Sequence, residues 1–177
     1  RGDVIVFRHP VSGRDYIKRL VAMPGETVQM RDGILFINGE EAPQEPAGTF
    51  TEIMRPQGPE GRRPRCMNGP VGDGGECLKS RAIETLPGGR QHVVLDIAPQ
   101  ASDRTGIYTV PEAHYFFVGD NRDNSADSRL AQQVQGVGFV PYENLIGRAD
   151  RIMFSSAGRS MLFFWTWRSD RFFKRVE

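Results

Sequence analysis

No stretch of this sequence approaches the roughly eighteen consecutive apolar residues that a bilayer-spanning helix requires, and no signal-peptide pattern opens it. An excess of one charge is also lacking. Twenty-three basic and 22 acidic residues leave a net charge of +1, which creates no field to recruit nucleic acid. Histidine is scarce, with three residues, and no Gly-x-Ser-x-Gly elbow occurs, so a triad of Ser125 or Ser128 with His9, His92 or His114 has no local motif behind it. No internal repeat and no helix-period stretch beyond two or three turns is present, which argues against bundles and solenoids. Cysteine is limited to Cys66 and Cys77, too few for a disulfide scaffold. With ten residues between them in a Gly/Pro-rich stretch, they suit one loop-closing disulfide in an oxidising compartment, with two unpaired thiols as the alternative. Neither has a Cys or His neighbour at zinc-finger spacing, so no metal site is expected.

What is present reads as a turn-rich globular protein of mainly β class: 20 glycines, 12 prolines, 11 phenylalanines and 38% hydrophobic residues. Residues 4–7 and 16–23 form a hairpin-like opening. Asp32-Gly33 and Asn38-Gly39 then mark positive-φ turns between short apolar runs, the signature of an antiparallel meander. From about residue 40 to 104 Pro, Gly, Arg and Gln dominate, and only 49–54, 80–86 and 91–97 read as strands. We therefore expect an antiparallel β core built from both ends of the chain, residues 1–45 and 106–177, with a loop-rich β subdomain inserted at 46–105.

Two constellations carry chemistry. In a strand through Tyr16-Ile17-Lys18-Arg19-Leu20-Val21, Lys18 and Arg19 point to opposite faces, so one cation is expected on the apolar side. A desolvated lysine loses its proton more readily and becomes a base, whereas arginine stays charged, which singles out Lys18. A snorkelling surface lysine is the bland alternative. The second is Gly119-Asp120-Asn121-Arg122-Asp123-Asn124-Ser125-Ala126-Asp127-Ser128-Arg129. It lacks the glycine and glutamate positions of a calcium loop and reads instead as a paired polar network. The C-terminal aromatics Phe163, Phe164, Trp165 and Trp167, among arginines and lysines, suit either a membrane interface or packing on the core.

The chain resembles bacterial type I signal peptidases in four places: Arg1-Gly2-Asp3-Val4-Ile5-Val6-Phe7, Tyr16-Ile17-Lys18-Arg19 with Pro24-Gly25-Glu26, the 119–129 run, and Gly138-Phe139-Val140-Pro141 through Asn144-Leu145-Ile146-Gly147-Arg148-Ala149. The resemblance implies a Ser/Lys endopeptidase that removes signal peptides from secreted preproteins. Its catalytic domain would sit on the periplasmic face of the bacterial inner membrane, acting as a monomer without cofactor, with signal peptides and the membrane surface as partners. It also implies Lys18 as general base, Ser125 as the hydroxyl that hydrogen-bonds and orients the amine, and Asp120, Arg122, Asp127 and Arg129 as supports. The family's nucleophile motif, Ser-Met-x-Pro-Thr-Leu, does not occur in residues 1–177, so a trimmed start and an inactive chain are expected. A nucleophile-less homologue serving as a peptide-binding or scaffolding module is the alternative.

Overall fold

The computed structural model describes residues 1–57, 61–153, 155 and 171–176, and the aromatic run containing Phe163, Phe164, Trp165 and Trp167 lies outside the described residues. Fourteen strands and four short 3-10 turns make up the described part. In chain order the strands are β1 (Val4–Arg8), β2 (Asp15–Ala22), β3 (Thr27–Arg31), β4 (Ile34–Ile37), β5 (Glu40–Ala42), β6 (Gln44–Ile53) and β7 (Glu76–Thr85). They continue with β8 (Gln91–Asp96), β9 (Tyr108–Thr109), β10 (His114–Val118), β11 (Val140–Pro141), β12 (Leu145–Arg148), β13 (Arg151–Ile152) and β14 (Lys174–Arg175). The protein is mainly β, and every strand pair in its sheets is antiparallel.

One sheet, ordered β11-β10-β2-β1-β12, joins strands from both ends of the chain, and a second, β5-β4-β3-β9, holds the meander. The meander turns fall where Asp-Gly and Asn-Gly allow them: Asp32 and Gly33 have φ of 50° and 81°, Asn38 and Gly39 of 52° and 80°. Val21, Ala22, Phe116 and Val118 of the first sheet pack against Val28, Met30, Leu35, Ile37 and Ala42 of the second. The other face of the first sheet is also covered. Phe7, Leu20, Phe117, Val137 and Val140 form a separate cluster there, with the Phe7 and Phe117 rings stacked at 4.6 Å. Neighbours Phe116 and Phe117 thus feed opposite cores, as strand alternation dictates, and each fully buried ring stabilises by about 2–3 kcal/mol.

The third sheet, β6-β7-β8, lies between β5 and β9 in sequence. Its first two strands run to ten residues each, longer than the composition suggested. Pro46 and Gly48 read as breakers, yet β6 is an edge strand and the register shift between Pro46 and Thr49 absorbs them. Cys66 and Cys77 close a disulfide beside β7.

Candidate active site

β2 is an interior strand, hydrogen-bonded to β1 on one side and β10 on the other, so its backbone is fixed along the length that carries Lys18 and Arg19. Because both faces of the sheet are covered, Arg19 is buried on one face and Lys18 half-buried on the other. Lys18 shares its face with Tyr16 and Leu20 and is half-buried, its Nζ 5.8 Å from the Tyr16 ring centre. Arg19, on the opposite face, is 2% exposed and makes a two-pronged pair with Asp120, Nε to Oδ1 and Nη2 to Oδ2, both at 2.8 Å. Its Nη1 also donates to the Gly2 carbonyl at 2.6 Å. A guanidinium so bound satisfies its donors without water, which is why it tolerates burial.

The loop after β10 forms the rest of the site. The Asp127 carboxylate is its centre: Oδ2 accepts from the Gly119 amide at 3.0 Å and from Arg129 Nη2 at 2.9 Å, and Oδ1 accepts from Arg129 Nε at 2.9 Å and from the Arg129 amide at 3.1 Å. Arg129 Nη2 also donates to the Arg122 carbonyl at 2.6 Å, so the 3-10 turn Arg122–Asn124 is tied to the strand end by charge-assisted bonds. Ser128 is occupied within the loop, its Oγ accepting the Phe117 amide at 3.0 Å.

Lys18, Ser125, Gly119, Asp120, Val4 and Val176 line a cleft of about 240 Å³. A Cβ built on Gly119 would overlap the Ser125 side chain and lie 3.6 Å from Lys18 Cδ, so the bare glycine is what lets serine and lysine approach. Burial is the largest influence on Lys18 and lowers its pKa below the ordinary 10.5; Asp127 and Asp120 oppose this, and Arg129 adds to it. Ser125 Oγ is buried and, among the described residues, meets no hydrogen-bond partner, Lys18 included, with which the sequence resemblance paired it. Chemically, the cleft offers an amine biased toward its neutral form and a hydroxyl with unused hydrogen-bonding capacity.

Other candidates separate from this cleft. His9 Nδ1 accepts the Val11 and Ser12 amides while Nε2 faces the Gly136 carbonyl at 3.0 Å, and His114 Nδ1 sits 2.8 Å from the Glu112 carbonyl. Among these contacts neither histidine meets a serine hydroxyl. His92 does belong near the site, but beside carboxylates: its Nε2 is 3.3 Å from Glu84 Oε1. Glu84, 0% exposed and paired with Arg122, escaped sequence analysis. The available signal was a carboxylate among the apolar residues of Ala82-Ile83-Glu84-Thr85-Leu86. Among the described residues no group of three or more His, Cys, Asp or Glu could hold a metal ion, and no helix is long and apolar enough to cross a membrane.

Comparison with known proteins agrees with the four quoted motifs. The model of the family described as signal peptidase, peptidase S26, matches residues 1–154. The signal peptidase I of Rickettsia typhi is 40% identical over 166 residues, covering 88% of this chain and 52% of its own length. That of Rickettsia prowazekii is 39% identical over 166 residues with the same coverage. The chain therefore spans about half the length of the curated relatives it matches. A crystal structure of a signal peptidase I from Enterococcus faecalis is similar with a TM-score of 0.43 and 26% identity, over 84% of this chain and 93% of that one.

Proposed function

The chain belongs to the signal peptidase family, peptidase S26, and on that premise we propose that it is the catalytic body of an endopeptidase that removes signal peptides from secreted preproteins, with Lys18 as the general base of a Ser/Lys dyad. The observation that carries the reading is the desolvated Lys18 amine in a cleft that also holds the unpartnered Ser125 hydroxyl. A neutral amine takes the proton from a serine hydroxyl as its oxygen attacks the peptide carbonyl, then passes that proton to the departing amine. The same amine next activates water against the acyl-enzyme. The attacking serine comes, in this reading, from a part of the full-length protein outside residues 1–177, and residues 1–177 alone do not hydrolyse. Ser125 swings its free hydroxyl onto the Lys18 amine and orients it, while Asp120, Arg122, Asp127 and Arg129 hold the loop. The amine supplies the base, so no metal or organic cofactor is called on. The full-length protein acts, as its resemblance implies, as a monomer at the periplasmic face of the inner membrane.

The test is cleavage of a synthetic preprotein peptide by the full-length protein and its Lys18→Met variant. The parent cleaves, and the variant loses about 10²- to 10⁴-fold in kcat/KM, the usual contribution of a positioned base. Equal rates remove Lys18 from the mechanism; a parent that binds the peptide without cutting it favours the binding module instead. Lys18 must be deprotonated to act, so activity climbs with pH through a midpoint below 10.5, absent from any residual activity of Lys18→Met.

A further inference from the structure

The β6-β7-β8 sheet reaches the catalytic loop through a buried charge pair that no sequence motif announced. Glu84 on β7 and His92 on β8 are cross-strand partners, and both side chains point inward. Arg122 opens the 3-10 turn that ends at Ser125 and is 4% exposed; its Nη2 donates to Glu84 Oε1 at 2.5 Å. Among the described residues the other Arg122 side-chain nitrogens, Nε and Nη1, are buried with no hydrogen-bond partner, so Glu84 is the group there that holds this guanidinium in place. Burial alone would raise the Glu84 carboxyl, but Arg122, with His92, draws it down to about 2, so it is charged throughout the neutral range.

Around this pair the same sheet and the segments flanking it grip the loop at backbone level. Leu95 N–H donates to the Asp120 carbonyl at 2.8 Å, and Leu95 makes a parallel bridge to Asn121. Asp123 Oδ2 accepts the Ile97 and Ala98 amides at 2.7 and 2.8 Å, and Arg65 donates to the Asp123 carbonyl at 2.7 Å. What Glu84 fixes is transmitted onward, because the Arg122 carbonyl accepts from Arg129, Arg129 grips Asp127, and Asp127 holds the Gly119 amide at the floor of the cleft.

We propose that Glu84 is a positioning residue for the peptidase reaction: through Arg122 it sets the 3-10 turn that places Ser125 beside Lys18, so the sheet formed by β6, β7 and β8 is a brace for the catalytic loop. This rests on the reading of Lys18 as the base. With the carboxylate removed, Arg122 becomes an uncompensated buried cation and must move, taking its turn with it. Small displacements of a catalytic constellation are costly in rate. A loosened loop also admits water to Lys18, and because burial is the main influence on that amine, its pKa rises.

The experiment measures kcat, KM and the pH-rate profile of the full-length protein on a preprotein peptide for the parent, Glu84→Gln, which keeps length without charge, and Glu84→Asp, which keeps charge with shorter reach. Thermal melts identify the temperature at which each variant is folded, and rates are taken below it. Expected is a fall in kcat of about 10- to 100-fold for Glu84→Gln with KM within about twofold. The acid limb of its profile moves to higher pH, and Glu84→Asp recovers part of the rate. A merely structural glutamate would lower the melting temperature and leave kcat and the acid limb of the folded enzyme unchanged. That outcome in Glu84→Gln overturns the proposal. A parent without cleavage instead overturns the peptidase reading itself, so the two failures are distinguishable.

Discussion

A methyl group added at Gly119 has nowhere to go except into the Ser125 side chain. Gly119→Ala is therefore expected to push serine and lysine apart, costing about 1–3 kcal/mol of stability from overpacking and at least about tenfold in kcat. Melts and steady-state kinetics on the same preparation check both. Lys18 could be singled out as a candidate from sequence because the argument for it is local: a lysine flanked by strand residues, with a motif around it. Glu84 could not, since its role arises from Arg122, 38 residues away along the chain. Nothing in the residues next to Glu84 encodes that meeting. Arg19 was half legible. Its side of the strand followed from alternation, but its two-pronged grip on Asp120 depends on where the loop after β10 returns.

Strand order in the second sheet follows from turn chemistry, so β3, β4 and β5 were visible in the sequence at Asp32-Gly33 and Asn38-Gly39. The long strands β6 and β7 were less so, because a proline tolerated on a sheet edge looks locally the same as one that ends a strand. Their outer end is tied by the Cys66–Cys77 disulfide. Opening it in Cys66→Ser/Cys77→Ser is expected to cost about 3 kcal/mol, the chain-entropy value for a loop of this length. Denaturant midpoints of the two proteins measure it. Arg65, adjacent to Cys66, hydrogen-bonds the Asp123 carbonyl, so the double variant should also show faster amide exchange in the Arg122–Asn124 turn. Unchanged exchange there would confine the disulfide's effect to its own loop.

For the molecule as a whole, the pairing of strands from both chain ends could be expected, whereas the covering of both faces of the first sheet could not. Apolar patterning shows that a strand is buried without showing by how many layers. The pH response of the folded state is likewise a property of the whole. Asp96, exposed as a residue but with its carboxyl partly stripped of water, is raised from 3.8 to about 6, first by that partial desolvation and then by repulsion from Asp123. A carboxyl whose folded pKa is raised favours the folded state while protonated, and that advantage is lost as pH climbs from 3.8 to about 6. Asp96→Asn should therefore match the parent near pH 4 and melt higher at pH 7. Because Asp96 is exposed and solvent screens it, the gain should stay below about 1 kcal/mol. Equal melting temperatures at both pH values would refute the repulsion.

The interior place of β2 also bears on the order in which the proposed site is assembled. Leu20 pairs with Phe117, nearly a hundred residues further along the chain, so on a ribosome the lysine strand waits roughly 5–20 s for its second neighbour at ordinary elongation speeds. Throughout that interval Lys18 lacks the loop residues Gly119, Asp120 and Ser125 that line its cleft in the folded chain. On the proposed reading of Lys18 as the base, a nascent chain thus carries it unarmed past every peptide it meets until its own later half has emerged.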